Sequence, residues 1–178
     1  MSSRIVTISG SPSPTSRSSL LARHVGAKLA GEGFTVDAIE VRDLPAEDLL
    51  LARPTAPGLS AALGLVEQAQ GVVIATPIYK AAYSGALKAF LDLLPQFGLT
   101  GKVVLPLATG GSMAHVLAID YALRPVLSSL NPLHVVAGLF LVDKQLERTD
   151  AGLVIEPAMS EWLDRIVGDF VLALRRAR

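Results

Sequence analysis

The 178-residue chain contains no cysteine, which excludes disulfides, thiolate metal sites and cysteine redox chemistry. Electrons, if this protein moves them, ride on a bound cofactor. Neither sign of charge is in excess, since 16 Lys+Arg face 16 Asp+Glu, and the basic surplus that nucleic acid or an acidic membrane needs is missing. Any bound anion must be held locally. No uncharged apolar run reaches the roughly 18 residues of a membrane span, and no basic stretch followed by a long apolar segment opens the chain. These absences predict a cytoplasmic protein with no membrane or nucleic-acid partner. Gly-Lys-Ser/Thr, G-x-G-x-x-G and G-x-S-x-G are all absent, so nucleotide-triphosphate hydrolysis, the usual dinucleotide fold and serine-hydrolase chemistry lose support. His24, His115 and His134 have no metal-ligand spacing, and no metal is expected.

What is present is an apolar half, 51% of the residues, arranged in two alternating periodicities. Arg4 to Ser9 is a short β-branched run, and Leu20, Leu21, Val25 and Leu29 then recur at helical spacing as far as Gly31. Phe34 to Val41 alternates as a strand does, and Leu59 to Ala69 reads as a helix. Gly71 to Pro77 is too uniformly apolar for a strand with one wet face, which makes it a central parallel strand covered on both sides. A helix over Ser84 to Leu94, a strand over Lys102 to Gly111, a helical segment ending at Leu130 and a strand over His134 to Val142 follow. Trp162, Ile166, Phe170 and Leu174 form a stripe on a closing helix. Five strands alternating with helices predict a doubly wound α/β fold: five parallel strands in the order 2-1-3-4-5, in three layers, as one domain over residues 1–178. Asp43 to Pro57 and Asp143 to Pro157 are the least regular parts and are expected to be surface loops.

In such a sheet ligands bind outside the carboxyl ends of the strands, at the switch point between strands one and three. Three loops should meet there. The first, from Gly10 to Ser19, places Ser11, Thr15, Ser16, Ser18, Ser19 and Arg17 at the start of a helix, where unpaired N–H groups and the helix dipole favour an anion. It reads as a phosphate seat, although Ser16 or Ser18 could equally cap the helix and Arg17 be solvated. The second carries Tyr79, Lys80 and Tyr83, which suit a flat ring with polar edges or, alternatively, tyrosines with wet hydroxyls and a surface lysine. In the third, Gly110 and Gly111 let backbone approach a planar ligand, while Thr109 and Ser112 bind or cap.

The stretches GSPSPTSRSS, ATPIYKAAYSGALKAFLDLLP, GKVVLPLATGGSMAH and YALRPVL together resemble the NAD(P)H-dependent FMN reductases of the flavodoxin-like superfamily. Within it they are most similar to the branch that supplies reduced FMN to alkanesulfonate monooxygenases in sulfur assimilation. The resemblance runs from Ile5 to about Phe140. It implies a flavodoxin-like fold, FMN and NADPH (or NADH) as cofactors, and a flavin-dependent monooxygenase as partner. It also implies that Ser11, Ser16, Arg17, Ser18 and Ser19 hold the FMN phosphate, that Pro77, Ile78, Tyr79, Lys80 and Ser84 lie beside the isoalloxazine, and that Thr109, Gly110, Gly111 and Ser112 lie at its pyrimidine end. Many relatives carry Gly-Ser-x-Arg in the first loop, whereas here the fourth position is Ser13 and the arginine comes at Arg17.

Hydride passing from nicotinamide C4 to flavin N5 needs stacking and stabilisation of the reduced ring, so no catalytic side chain is expected. Asp120 and Arg124 read as a surface pair four residues apart. The helix between Val116 and Leu130 is apolar almost all round, which calls for a partner subunit. Pro125 removes the bond to the carbonyl of Tyr121, predicting a distortion there and, as one form of it, a π-type bulge. The resemblance implies that this helix packs homotetramers near the flavins and that a tyrosine in it accompanies flavin release. Two other functions remain open: an enzyme that keeps FMN as a prosthetic group and reduces a quinone, azo dye or other acceptor, and a flavodoxin-like electron carrier. Such carriers are usually acidic, unlike this chain.

Overall fold

A computed structural model describes residues 3–150 and 152–177; Met1, Ser2, Ala151 and Arg178 lie outside the described residues. In chain order the elements are β1 (Arg4–Ser9), α1 (Arg17–Gly31), β2 (Thr35–Glu40), α2 (Ala46–Leu50), α3 (Pro57–Gln68), β3 (Gly71–Tyr79), β4 (Ala82–Tyr83), α4 (Gly85–Leu91), β5 (Val103–Gly110), α5 (Arg124–Ser129), β6 (His134–Val135), β7 (Leu139–Val142), β8 (Leu146–Thr149), β9 (Gly152–Ile155) and α6 (Pro157–Arg176). The main sheet is parallel, with β1 between β2 and β3 and with β5 between β3 and the last strand. Leaving aside β4, which pairs antiparallel with the end of β3, and counting β6 and β7 as two halves of that last strand, the order is 2-1-3-4-5.

Every residue of β5, and of β3 from Gly71 through Thr76, is buried, as expected for strands covered on both faces. Ile5, Val73 and Leu105 point to one layer, where they meet Leu21, Val25 and Leu29 of α1 and Ile166, Phe170 and Leu174 of α6. Val6, Ile74 and Val104 point to the other, against Leu59 and Val66 of α3, Phe90 of α4 and Leu127 of α5. Each such large side chain contributes about 1.5–3 kcal/mol on burial. A smaller cluster of Ile78, Ala108, Ile119, Phe140 and Val142 closes the carboxyl end of the sheet.

Five expectations from the sequence need correction. The strand over His134 to Val142 is interrupted, because Val104 pairs with Val135 and Leu107 with Leu139, leaving three residues opposite two. Pro106, which has no N–H to donate, lies at that gap. Asp43 to Pro57 includes the short helix α2, and Asp143 to Pro157 folds into the antiparallel hairpin β8–β9 rather than a plain loop. Trp162 leaves the stripe of α6: it is 46% exposed, while Ile166, Phe170 and Leu174 are buried. Finally, Arg124 is more than half of a surface pair. Its Nε donates to Asp120 at 3.1 Å, and its Nη1 and Nη2 donate to the carbonyls of Val135 and Val136 at 3.1 and 3.2 Å, tying α5 to the broken strand.

The bulge expected at Tyr121 is present as a π-helical turn over Ile119–Leu123, in which the Arg124 N–H bonds to the Ile119 carbonyl five residues back. The cause is local: Pro125 cannot donate to Tyr121, and the wider turn brings Ile119 onto Gly138, where a Cβ would come within 2.9 Å of the isoleucine side chain.

Candidate active site

The loops after β1, β3 and β5 converge on one cleft of about 270 Å³. It is lined by Ser11, Ser13, Thr15, Ser16 and Arg17 from the first loop, Pro77, Ile78 and Tyr79 from the second, Thr109, Gly110 and Gly111 from the third, and Asp143 just beyond β7. A groove of about 730 Å³ along α3, bordered by Phe97 and Lys102, is larger. Its lining holds none of the residues of the three loops that follow β1, β3 and β5, which is where ligands bind in such a sheet.

The first loop is fixed at both ends. Gly10 donates its N–H to the Ala75 carbonyl at 2.9 Å and lies so close to α4 that a Cβ would fall 2.6 Å from that of Leu87. Ser84 donates its hydroxyl to the Gly10 carbonyl and accepts from the Leu87 N–H, and so caps α4 while pinning the loop to it. Ser16 caps α1 by accepting from the Ser19 N–H at 3.3 Å. The hydroxyl of Ser18 meets that of Ser16 at 2.8 Å, and that of Ser19 meets Ser9 at 2.6 Å. Ser18, Ser19 and Ser84 are therefore buried frame residues whose side chains do not line the cleft. Ser11 and Ser13 brace the loop from within, accepting from the N–H groups of Ser13 and Thr15 at 3.2 and 3.3 Å. On its outer side Arg42 donates to the Ser13 carbonyl at 2.7 Å, held between Glu40 and Asp43 at 3.5 Å each.

Arg17, the first residue of α1, turns toward the β8–β9 hairpin. Its Nε donates to the Leu146 carbonyl at 3.1 Å, and its Nη1 lies 4.0 Å from the Asp143 carboxylate. In the second loop Tyr79 lines the cleft and is 50% exposed. Lys80 and Ala81 form the tight turn between β3 and β4, both with positive φ, 50° and 64°. That conformation costs a non-glycine residue about 1–3 kcal/mol and recurs at ligand clamps. Lys80 projects from the tip and does not line the cleft, while burial raises the pKa of the Tyr83 phenol, keeping it protonated. In the third loop a Cβ on Gly110 would meet Phe140 at 2.9 Å, whereas Gly111 faces open space. Ser112 turns away to accept from the Ala114 N–H at the next short turn. Arg53 pairs with Glu47 and Asp48 outside the cleft.

The cleft thus combines the positive end of α1, a cluster of hydroxyls and one guanidinium with an exposed aromatic ring and bare glycine backbone. A phosphate fits the first part and a flat heterocycle the second. Asp143 and Arg42 carry no motif in the sequence. The position of Asp143 just past the last strand is the one signal from which it could have been found.

A parallel sheet of this strand order, with one cleft formed by the loops after its first, third and fourth strands, defines a flavodoxin-like α/β protein. The sequence matches the model of the NADPH-dependent FMN reductase family over residues 3–147, and the chain belongs to that family. It is 46% identical over 173 residues to the FMN reductase (NADPH) of Escherichia coli strain K12, covering 97% of this chain and 91% of that one. The NADH-dependent FMN reductase SfnF of Pseudomonas putida is 33% identical over 168 residues, 92% and 89% of the two chains. Among solved structures, the apo form of the NADH:FMN oxidoreductase EMOB superposes with a TM-score of 0.89 at 45% identity, covering 97% of this chain and 90% of that one. The protein is an NAD(P)H-dependent FMN reductase, with FMN and NADPH or NADH as its flavin and reductant. Among the described residues no helix is long and apolar enough to cross a membrane.

Proposed function

We propose that this chain, a single cytoplasmic domain over residues 1–178, reduces FMN that it takes from solution and hands the reduced flavin to a monooxygenase of the alkanesulfonate type. Ser11, Ser16 and Arg17 bind the phosphate on a frame made by Ser18, Ser19 and Ser84. Pro77, Ile78 and Tyr79 lie beside the isoalloxazine, with Lys80 at the mouth, and Thr109, Gly110 and Gly111 serve the pyrimidine end, while Ser112 caps the turn that follows them. When bound, FMN would supply the acceptor for the nicotinamide's hydride. The residues orient the ring and present N–H donors to it, and no side chain is assigned a proton transfer.

The observation that carries the exchange reading is the cleft itself. Tyr79 lines it and is half exposed, and Gly111 faces open space. A flavin seated there stays partly uncovered, open to nicotinamide and to departure. The monooxygenase link rests on the motif resemblance. A homotetramer is supported by the patch of Met113, Leu117, Tyr121 and Trp162, each 46% exposed or more, around the π-helical turn. The test is a coupled assay: an alkanesulfonate monooxygenase, NADPH or NADH, catalytic FMN and this protein. Sulfite release that requires the reductase supports the reading, and reductase activity without sulfite release for any sulfonate monooxygenase removes the partner. Light scattering that gives a monomer at micromolar concentration removes the tetramer.

A further inference from the structure

Asp143 and Arg17 are the only charged residues lining the cleft among the described residues, and they face each other, the carboxylate 4.0 Å from the guanidinium. An FMN phosphate carries about −1.5 to −2 charges at neutral pH. A carboxylate in its cleft does two things to it: it repels the phosphate, and it occupies the one guanidinium at the seat. We propose that Asp143 is a specificity-determining residue that keeps FMN exchangeable, by competing with the 5′-phosphate for Arg17. The inference rests on the reading of this cleft as the FMN site.

The competition is geometrically open. Arg17 is anchored through Nε to the Leu146 carbonyl, while the 4.0 Å separation of Nη1 from Asp143 is longer than a hydrogen bond. Both side chains are about two-fifths exposed, 44% and 42%, so this end of the guanidinium can change partner without disturbing the core. The backbone anchor keeps the arginine beside the seat in either state. When phosphate enters, Arg17 turns its free nitrogens to it and Asp143 is released to water. When the flavin leaves, the carboxylate takes the guanidinium back.

The test is Asp143→Asn, which preserves shape and removes the charge, with Asp143→Ser as a second variant. Flavin dissociation constants are read by fluorescence quenching for FMN and for riboflavin, which lacks the phosphate. FMN should bind about three- to tenfold more tightly, the range of an exposed charge pair. Riboflavin should change by less than about twofold, and the gain for FMN should shrink as salt rises from about 50 to 500 mM. In steady state KM for FMN falls and kcat falls with it as release of the reduced flavin slows. Unchanged or weaker FMN binding in both variants overturns the inference, as does an equal gain for riboflavin. If the unsubstituted protein binds neither flavin, the FMN-site reading falls first and the inference with it; if it binds FMN and Asp143→Asn does not tighten it, the inference alone fails.

Discussion

Replacing Ser84 with alanine separates a frame residue from a flavin contact. The resemblance puts Ser84 beside the isoalloxazine, yet in the structure it is 1% exposed and bonded on both sides: its hydroxyl donates to the Gly10 carbonyl and accepts from the Leu87 N–H. Alanine removes the cap of α4, which costs about 0.5–2 kcal/mol. It also leaves the Gly10 carbonyl without that donor, a further cost of about 1–3 kcal/mol. The two losses share one hydroxyl, so the total should be about 2–4 kcal/mol. For a chain of this size each kcal/mol lowers Tm by about 2–4 °C, and the variant should melt roughly 5 to 15 °C early. The assay is thermal and urea unfolding of flavin-free protein, with Ser84→Thr expected to recover part of the loss. Flavin-free Ser84→Ala melting with the parent while its FMN affinity collapses would refute the reasoning and make Ser84 a ligand contact.

Arg42→Ala frees the Ser13 carbonyl from its 2.7 Å bond, and a loosened phosphate loop should raise KM for FMN about three- to tenfold with kcat within about twofold; steady-state kinetics with an unmoved KM would contradict this. Lys102→Met removes an ammonium that donates to the carbonyls of Glu67 and Ala69 at 2.8 and 2.7 Å, and urea unfolding should show a loss of about 1–3 kcal/mol. His24 has its pKa pushed below 6.5, chiefly by burial and then by Lys28, and its Nε2 is buried without a hydrogen-bond partner. The unfolded state therefore takes up the proton first, so the contribution of His24 is complete above about pH 6.5 and declines as pH falls through that value. Melting temperatures measured downward from pH 7.5 should show this slope, and His24→Gln should flatten it.

The architecture was legible because burial on two faces writes itself into composition. Gly71 to Pro77 could hardly be anything but a central strand, and the loops that follow such strands could be located from it. The break in the last strand was not legible, since Val135, Val136 and Leu139 look continuous and the cause, Pro106, sits in the neighbouring strand. The hairpin β8–β9 was missed because its strands are four residues each, Leu-Glu-Arg-Thr and Gly-Leu-Val-Ile, too short for alternation to register. At the site, serines that cap and serines that line a cleft are the same residue type at the same density. Ser11 and Ser16, though buried, border the cleft while Ser18 and Ser19 turn to Ser16 and Ser9. Pro125 was the exception, a single residue whose missing donor predicted a distortion at Tyr121, either a π-type turn or a simple kink, and the π-type turn is the one present.

The most direct test of the account is the absorbance of the purified protein near 450 nm, followed by NADPH and NADH oxidation with and without added FMN. The account predicts protein with little bound flavin and turnover that depends on free FMN in the micromolar range. Protein that arrives with one FMN per chain, ignores added FMN and turns over only with a quinone or azo acceptor would contradict it.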